Sequence, residues 1–158
     1  MVYDDIALNS GVIFMHTVDV LKEKANGVNI KPENGIISIS PLDLALNVPI
    51  IVNSALACEL IIKSMLPKKP QKEHNHKNLF EKLDYDIQEK VRNLTIKKMQ
   101  KTNTLYAAED FNCDLNQNKL NFFEWRYFHE GISHTANFLF IENFMNALFE
   151  IAKAERKK

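Results

Sequence analysis

The stretch NVPIIVNSALACELIIKSML, residues 47–66, decides the predicted fold. A helix drawn through it is apolar on almost every face, which is typical of the central helix of a bundle. Pro49 falls in the first turn, where the missing amide proton costs nothing, and Pro67 ends the helix. Because Glu59 and Lys63 interrupt the run, a membrane span is disfavoured and we expect a cytoplasmic protein.

Further helices are predicted on both sides of this stretch from the helical spacing of apolar residues. They cover about residues 5–25, 79–83, 84–103, 120–130 and 136–157, while residues 112–118 are expected to form a turn or a frayed helix. The pair Asn34-Gly35 is a strong turn signal, and the flanking Val28, Ile30 and Ile37 could form the arms of a short hairpin near 28–39.

The chain is therefore expected to be all-α, an antiparallel bundle of four to five helices with a short β-hairpin. Its 158 residues suit a single domain, in which residues 1–47 form an N-terminal helix and hairpin that precede the core bundle 48–158. Twenty basic and twenty acidic residues give zero net charge. Strong non-specific attraction to nucleic acid or to an anionic membrane is disfavoured, because both need excess positive charge.

Four charged residues lie within the apolar helices. Glu59 and Lys63 are four positions apart and share a helix face, as do Arg126 and Glu130 in the opposite order of charge. In an up-down bundle the two helices are parallel, so Glu59 would face Arg126 and Lys63 would face Glu130. The sequence predicts an interior polar cluster of these four residues, because unpaired charge in a core is unfavourable.

This cluster has two interpretations. It could be a salt-bridge network that fixes the register of the helices. Alternatively, Arg126 could face a cleft with His129 or His134 and bind a phosphate. The guanidinium fork suits phosphate oxygens, and an imidazole exchanges protons near neutral pH.

Three motifs resemble the HEPN superfamily of small helical domains. They are NSALACELIIKSML at 53–66, HKNLFEKL at 76–83 and FEWRYFHE at 123–130. The resemblance covers about residues 48–155 and adds His76 to the polar cluster. It implies a bundle that commonly forms a homodimer. Many members are metal-independent ribonucleases of toxin–antitoxin, phage-defence or CRISPR-linked systems, whereas others bind nucleotides or proteins without catalysis.

The ribonuclease members of that family carry an Arg followed, after roughly four to six residues, by a His. Here Arg126 is followed by His129 after two residues and by His134 after seven. This departure favours a non-catalytic module that binds a nucleotide, RNA or a protein. An endoribonuclease that uses Arg126 with His134 or His129 is the alternative, and a purely structural bundle is the third hypothesis.

No metal or cofactor is expected. His74 and His76 have a spacing seen in some metal sites, but no cysteine or carboxylate cluster completes a coordination sphere, and a solvated loop is the favoured interpretation.

Overall fold

A computed structural model of the chain describes residues 3–26, 32–33, 36–37, 41–67, 72–120, 125 and 136–157. Within these residues there are six helices: α1 (Asp5–Asn26), α2 (Pro41–Ser64), α3 (His76–Glu81), α4 (Tyr85–Met99), α5 (Ala108–Gln117) and α6 (Phe138–Glu155). Two short strands, β1 (Pro32–Glu33) and β2 (Ile36–Ile37), pair in antiparallel fashion. The prediction of an all-α helical bundle is confirmed.

The apolar helix α2 lies at the centre of this bundle, where α1 packs along it and α6 packs against it. Gly11 allows α1 to approach closely: a Cβ atom at this position would lie 2.8 Å from Cγ1 of Ile61, which is fully buried. Leu8 and Val18, also on α1, are buried in the core.

The other half of the core is built around phenylalanine rings. Phe111 of α5 lies 5.7 Å from Phe80 of α3 and 5.7 Å from Phe140 of α6, measured between ring centroids. Phe140 stacks on Phe144 at 5.4 Å. These tilted and stacked pairs join the short helices α3 and α5 to α6, which also packs on α4.

Two elements differ from the prediction. Helix α2 begins at Pro41 rather than near Asn47, so that Pro49 lies inside the helix, where its carbonyl accepts a hydrogen bond from Asn53 Nδ2 at 2.7 Å. The expected turn or frayed helix at 112–118 is instead the continuous helix α5. The Asp110 carboxylate accepts from the backbone N–H of Ala107 and helps to start that helix.

The hairpin prediction is right in position, with Pro32 opposite Ile37 and Glu33 opposite Ile36. Its predicted arm residues Val28 and Ile30 lie outside the described residues. So does most of the predicted helix at 120–130, of which Trp125 packs against the hydrophobic core.

In the described part of the chain, one stretch is long and apolar enough to cross a membrane. It is Ala45–Ser64 of α2, with a mean hydropathy of 1.8, and half of it is buried inside the bundle. It also contains the buried Glu59. The core helix of a globular protein can be as long and as apolar as a membrane span. Burial against other helices is typical of such a core helix.

Candidate functional site around Glu59 and His76

Glu59 is a carboxylate in the interior of the bundle, with 4% of its side chain exposed. Lys63, one turn further along α2, places Nζ 2.8 Å from Oε1 of Glu59. Nδ1 of His74 lies 3.1 Å from each of the two Glu59 oxygens. Lys63 is mostly buried and His74 is half-buried, so the three residues form a cluster that opens to solvent at His74.

The loop before α3 positions His74. The Glu73 carboxylate accepts hydrogen bonds from the backbone N–H groups of His74 and Asn75 at 3.1 and 3.0 Å. The bond from the Asn75 backbone is the main reason that the pKa of Glu73 is lowered. The Asn75 side chain then caps α3 by accepting from the backbone N–H of Asn78. These local bonds fix the loop that brings His74 onto Glu59.

His76 is the first residue of α3, and its side chain is buried. Its backbone N–H donates to the carbonyl of Lys119 at 2.9 Å, while its ring Nε2 is buried and has no hydrogen-bond partner among the described residues. Burial lowers the pKa of His76, and the negative charge of Glu59 opposes that shift without cancelling it. The ring is therefore held neutral near pH 7.

A cavity of about 10 Å³ adjoins the His76 ring and is lined by Ala55, Cys58 and Asn118 among others. That volume is close to the minimum needed for one water molecule. Burial raises the pKa of the Cys58 thiol far above neutral, so this cysteine stays protonated and does not act as a nucleophile there.

A second polar network joins α5 to the start of α6. Asp114 accepts from the Tyr106 hydroxyl at 2.7 Å and from Asn137 Nδ2 at 2.9 Å. Asn118 Oδ1 accepts from the backbone N–H of Asn137, whose own side chain caps α6 at Phe140. Burial, followed by the neighbouring Asp114, raises the pKa of Tyr106, so its hydroxyl remains a donor.

The two networks lie next to each other at the residues that flank the segment 121–135. Lys119 is bonded to His76, and Asn137 is bonded to Asn118, so both ends are held beside the buried histidine. The predicted site residues of this segment, Arg126, His129, Glu130 and His134, lie outside the described residues. Their approach to Glu59 and Lys63 therefore stays a prediction.

The contact between His74 and Glu59 was missed by sequence reasoning, which placed His74 in a solvated loop. The Glu73–Asn75–Asn78 pattern could have indicated the N-cap and the tight entry into α3, but it does not specify the long-range contact with Glu59. In the ranges that the structure describes, no three His, Cys, Asp or Glu side chains are grouped as metal ligands.

Helix α1 carries a second feature that the sequence analysis did not single out. Ile6, Ile13 and Val20 are 78%, 64% and 59% exposed, although they are large aliphatic residues. They are seven positions apart and therefore form one apolar stripe along the outer face of α1, opposite the face that packs on α2. We call these three residues the α1 stripe.

Comparison with known proteins gave no match: no protein-family model, no curated protein and no solved structure is significantly similar to this chain. The resemblance to the HEPN superfamily accordingly stays a prediction from its motifs.

Proposed function

We propose that this chain is a non-catalytic binding module of the HEPN type that works as a homodimer paired through the α1 stripe. The observation that carries the proposal is the exposure of Ile6, Ile13 and Val20 on one helix face. Surface aliphatic residues scattered singly need no explanation, whereas several aligned on one helix face form an apolar patch of the kind that marks an interaction surface.

An antiparallel arrangement of the two α1 helices is expected, because it brings the positive end of each helix dipole close to the negative end of the other. The side-chain charges at the ends of α1 add little, since Asp5 in the first turn is bound by Arg156 and Lys24 in the last turn follows Glu23. A two-fold axis near Ile13 places Ile6 against the partner copy of Val20.

The size of the stripe predicts a weak dimer. Three aliphatic side chains per copy contribute about 1.5–3 kcal/mol each when fully buried. Association itself costs roughly 4–15 kcal/mol in lost freedom of motion. The midpoints of these two ranges, taken over both copies, leave about 4 kcal/mol, which corresponds to a dissociation constant of about millimolar order and makes dimer formation concentration-dependent.

The Glu59 cluster fits the non-catalytic part of the proposal. The Glu59 carboxylate is already paired with Lys63 and His74, and this pairing holds the loop at 72–76 against α2. A carboxylate bound in this way fixes the register of neighbouring elements rather than acting on a substrate. Purified protein is therefore expected to leave single-stranded RNA intact in EDTA. Cleavage that is lost in Arg126→Ala would support the endoribonuclease alternative instead.

Sedimentation velocity over a concentration series tests the homodimer. The wild-type chain is expected to shift from monomer towards dimer as its concentration rises to about 1 mM. Ile13→Glu should remain monomeric, because it places a charge at the centre of the α1 stripe. Leu105→Glu is the matched control, since Leu105 is 85% exposed but lies outside α1. A wild-type chain that stays monomeric, or a control as impaired as Ile13→Glu, would overturn the proposal.

A further inference from the structure

An apolar cavity lies where α1, α2 and α6 meet, and no residue of the Glu59 cluster or of the α1 stripe lines it. Its volume is about 190 Å³. A cavity of roughly 150 Å³ with Leu, Ile and Phe walls is known to bind benzene, so this volume is large enough for a ligand with a single ring. The apolar side chains that line it are Val18, Ala25, Ile50, Ile51, Phe138 and Ile141.

Ser54 contributes a hydroxyl to this apolar lining, although its side chain is buried and only 4% of the residue is exposed. The two other buried Ser or Thr side chains of the described residues, Ser64 and Thr95, donate to carbonyls of their own helices at 2.7 and 2.8 Å. Ser54 makes no such bond to a described residue. Because a buried hydroxyl without a partner is unfavourable, the cavity favours an occupant that pairs with Ser54.

An ion pair stands at the exposed edge of the cavity, between Lys22 of α1 and Glu142 of α6. Their side chains are 35% and 42% exposed, whereas Val18 and Ile51 deeper in the lining are buried. The two opposite charges already satisfy each other. A charged ligand would therefore lose its hydration in the apolar interior without gaining a free counter-charge, so the cavity favours an uncharged ligand.

We propose that this cavity binds a small uncharged aromatic molecule with a single hydrogen-bonding group, such as a simple phenol. The ring of the ligand packs among the aliphatic side chains, and the 41% exposed ring of Phe138 provides an aromatic contact at the edge. The hydroxyl of the ligand pairs with Ser54 Oγ, which can both donate and accept a hydrogen bond. The site does not depend on the proposed homodimer, because Ile6, Ile13 and Val20 do not line it.

Methyl NMR of the full chain provides the test, because three isoleucines line the cavity. The δ1-methyl signals of Ile50, Ile51 and Ile141, assigned by their loss in Ile→Val variants, are followed during titration with phenol, toluene or benzoate. With phenol they are expected to shift and saturate with a dissociation constant of about 1 mM or below. The signal of Ile87, which is buried on α4 outside the cavity, is expected to stay in place. Benzoate should bind at least about tenfold more weakly than phenol, because its charge would be buried.

Matched variants separate the cavity from non-specific apolar binding. Ser54→Ala removes only the hydroxyl and is expected to weaken phenol binding roughly three- to tenfold, while toluene binding stays within about twofold. Ala25→Leu fills part of the cavity and should weaken both ligands at least about tenfold, whereas Ala154→Leu, on the exposed side of α6, should change neither. Isoleucine signals that do not saturate with phenol, benzoate binding as tight as phenol, equal losses of phenol and toluene in Ser54→Ala, or equal effects of the two leucine variants would overturn the proposal.

Discussion

Glu59 shows how one residue joins separate parts of the chain. Its carboxylate binds Lys63 on its own helix and His74 in the loop before α3, so a single buried charge ties that loop to the central helix. The Lys63 contact follows from the four-residue spacing and could be predicted. The His74 contact depends on how the loop folds back on α2, which no local pattern in the sequence specifies.

Replacing Glu59 with Gln tests this role. The variant leaves Lys63, with 13% of its side chain exposed, without a full counter-charge. We expect a loss of about 2 kcal/mol in the free energy of unfolding, because a broken buried pair leaves an uncompensated charge. Urea denaturation measures it. Glu150→Gln is the control: it removes an exposed partner of Lys98 and should change stability by less than about 0.5 kcal/mol. Equal losses in the two variants would contradict this account.

His76 makes stability depend on pH. Its pKa is lowered in the folded chain, so the unfolded state takes up a proton first as the pH falls below about 6.5. The contribution of the neutral His76 ring to the free energy of unfolding is fully present above that pH and is lost progressively below it. The free energy of unfolding should therefore fall between pH 7 and pH 5.5 more steeply in the wild type than in His76→Gln.

The comparison with His76→Gln removes the contributions of the other histidines. Glu73, whose pKa is lowered from 4.5, loses its contribution only at lower pH and does not interfere. Parallel pH profiles of wild type and variant would show that His76 does not titrate as its burial requires.

At the scale of elements, Gly11 sets the distance between α1 and α2. Gly11→Ala improves helix propensity by about 1 kcal/mol. However, the added Cβ would lie 2.8 Å from a buried Ile61 side chain, and such overpacking costs typically 1–3 kcal/mol. We expect a net loss of about 1 kcal/mol in thermal or urea unfolding. Asn9→Ala, exposed on the same helix, should be neutral or slightly stabilising, and a Gly11→Ala chain that is equally stable would refute the close approach.

The elements also show what sequence patterns can and cannot predict. Helices α1 and α6 were predicted almost to their ends, because their apolar residues keep a regular helical spacing over many turns. Helix α5 was missed because its sequence, AEDFNCDLNQ, is mostly polar. Only Phe111 and Leu115 of that helix are buried, and their packing on α3 and α6 stabilises it. Tertiary contacts of this kind are invisible to a local pattern.

At the scale of the whole molecule, several ion pairs between oppositely charged side chains connect different helices. Helix α6 is joined to α1 and α4 by several of these pairs. They are Lys22–Glu142, Lys90–Glu155 and Lys98–Glu150. Arg156, just after α6, similarly binds Asp5 of α1. These pairs lie within one copy of the chain, and the proposed association between copies rests on apolar contact at the α1 stripe.

The candidate site was predictable only in part. The buried charge of Glu59 and its pairing with Lys63 follow from charged residues in an apolar helix. The α1 stripe was overlooked because α1 carries apolar residues on more than one face, and only the packing shows which face α2 covers. The contacts of Arg126 with Glu59 and of Glu130 with Lys63 stay predictions.

Disulfide cross-linking measures the central claim most directly, since it reports both the dimer and the direction of its helices. In a Cys113→Ser background, Ile13→Cys is expected to form a covalent dimer under mild oxidation. Ile6→Cys should do so only when mixed with Val20→Cys. Leu105→Cys, at a position that is even more exposed but lies outside α1, should stay monomeric. Failure of Ile13→Cys to cross-link above the Leu105→Cys control, or self-linking of Ile6→Cys, would contradict an antiparallel homodimer through α1.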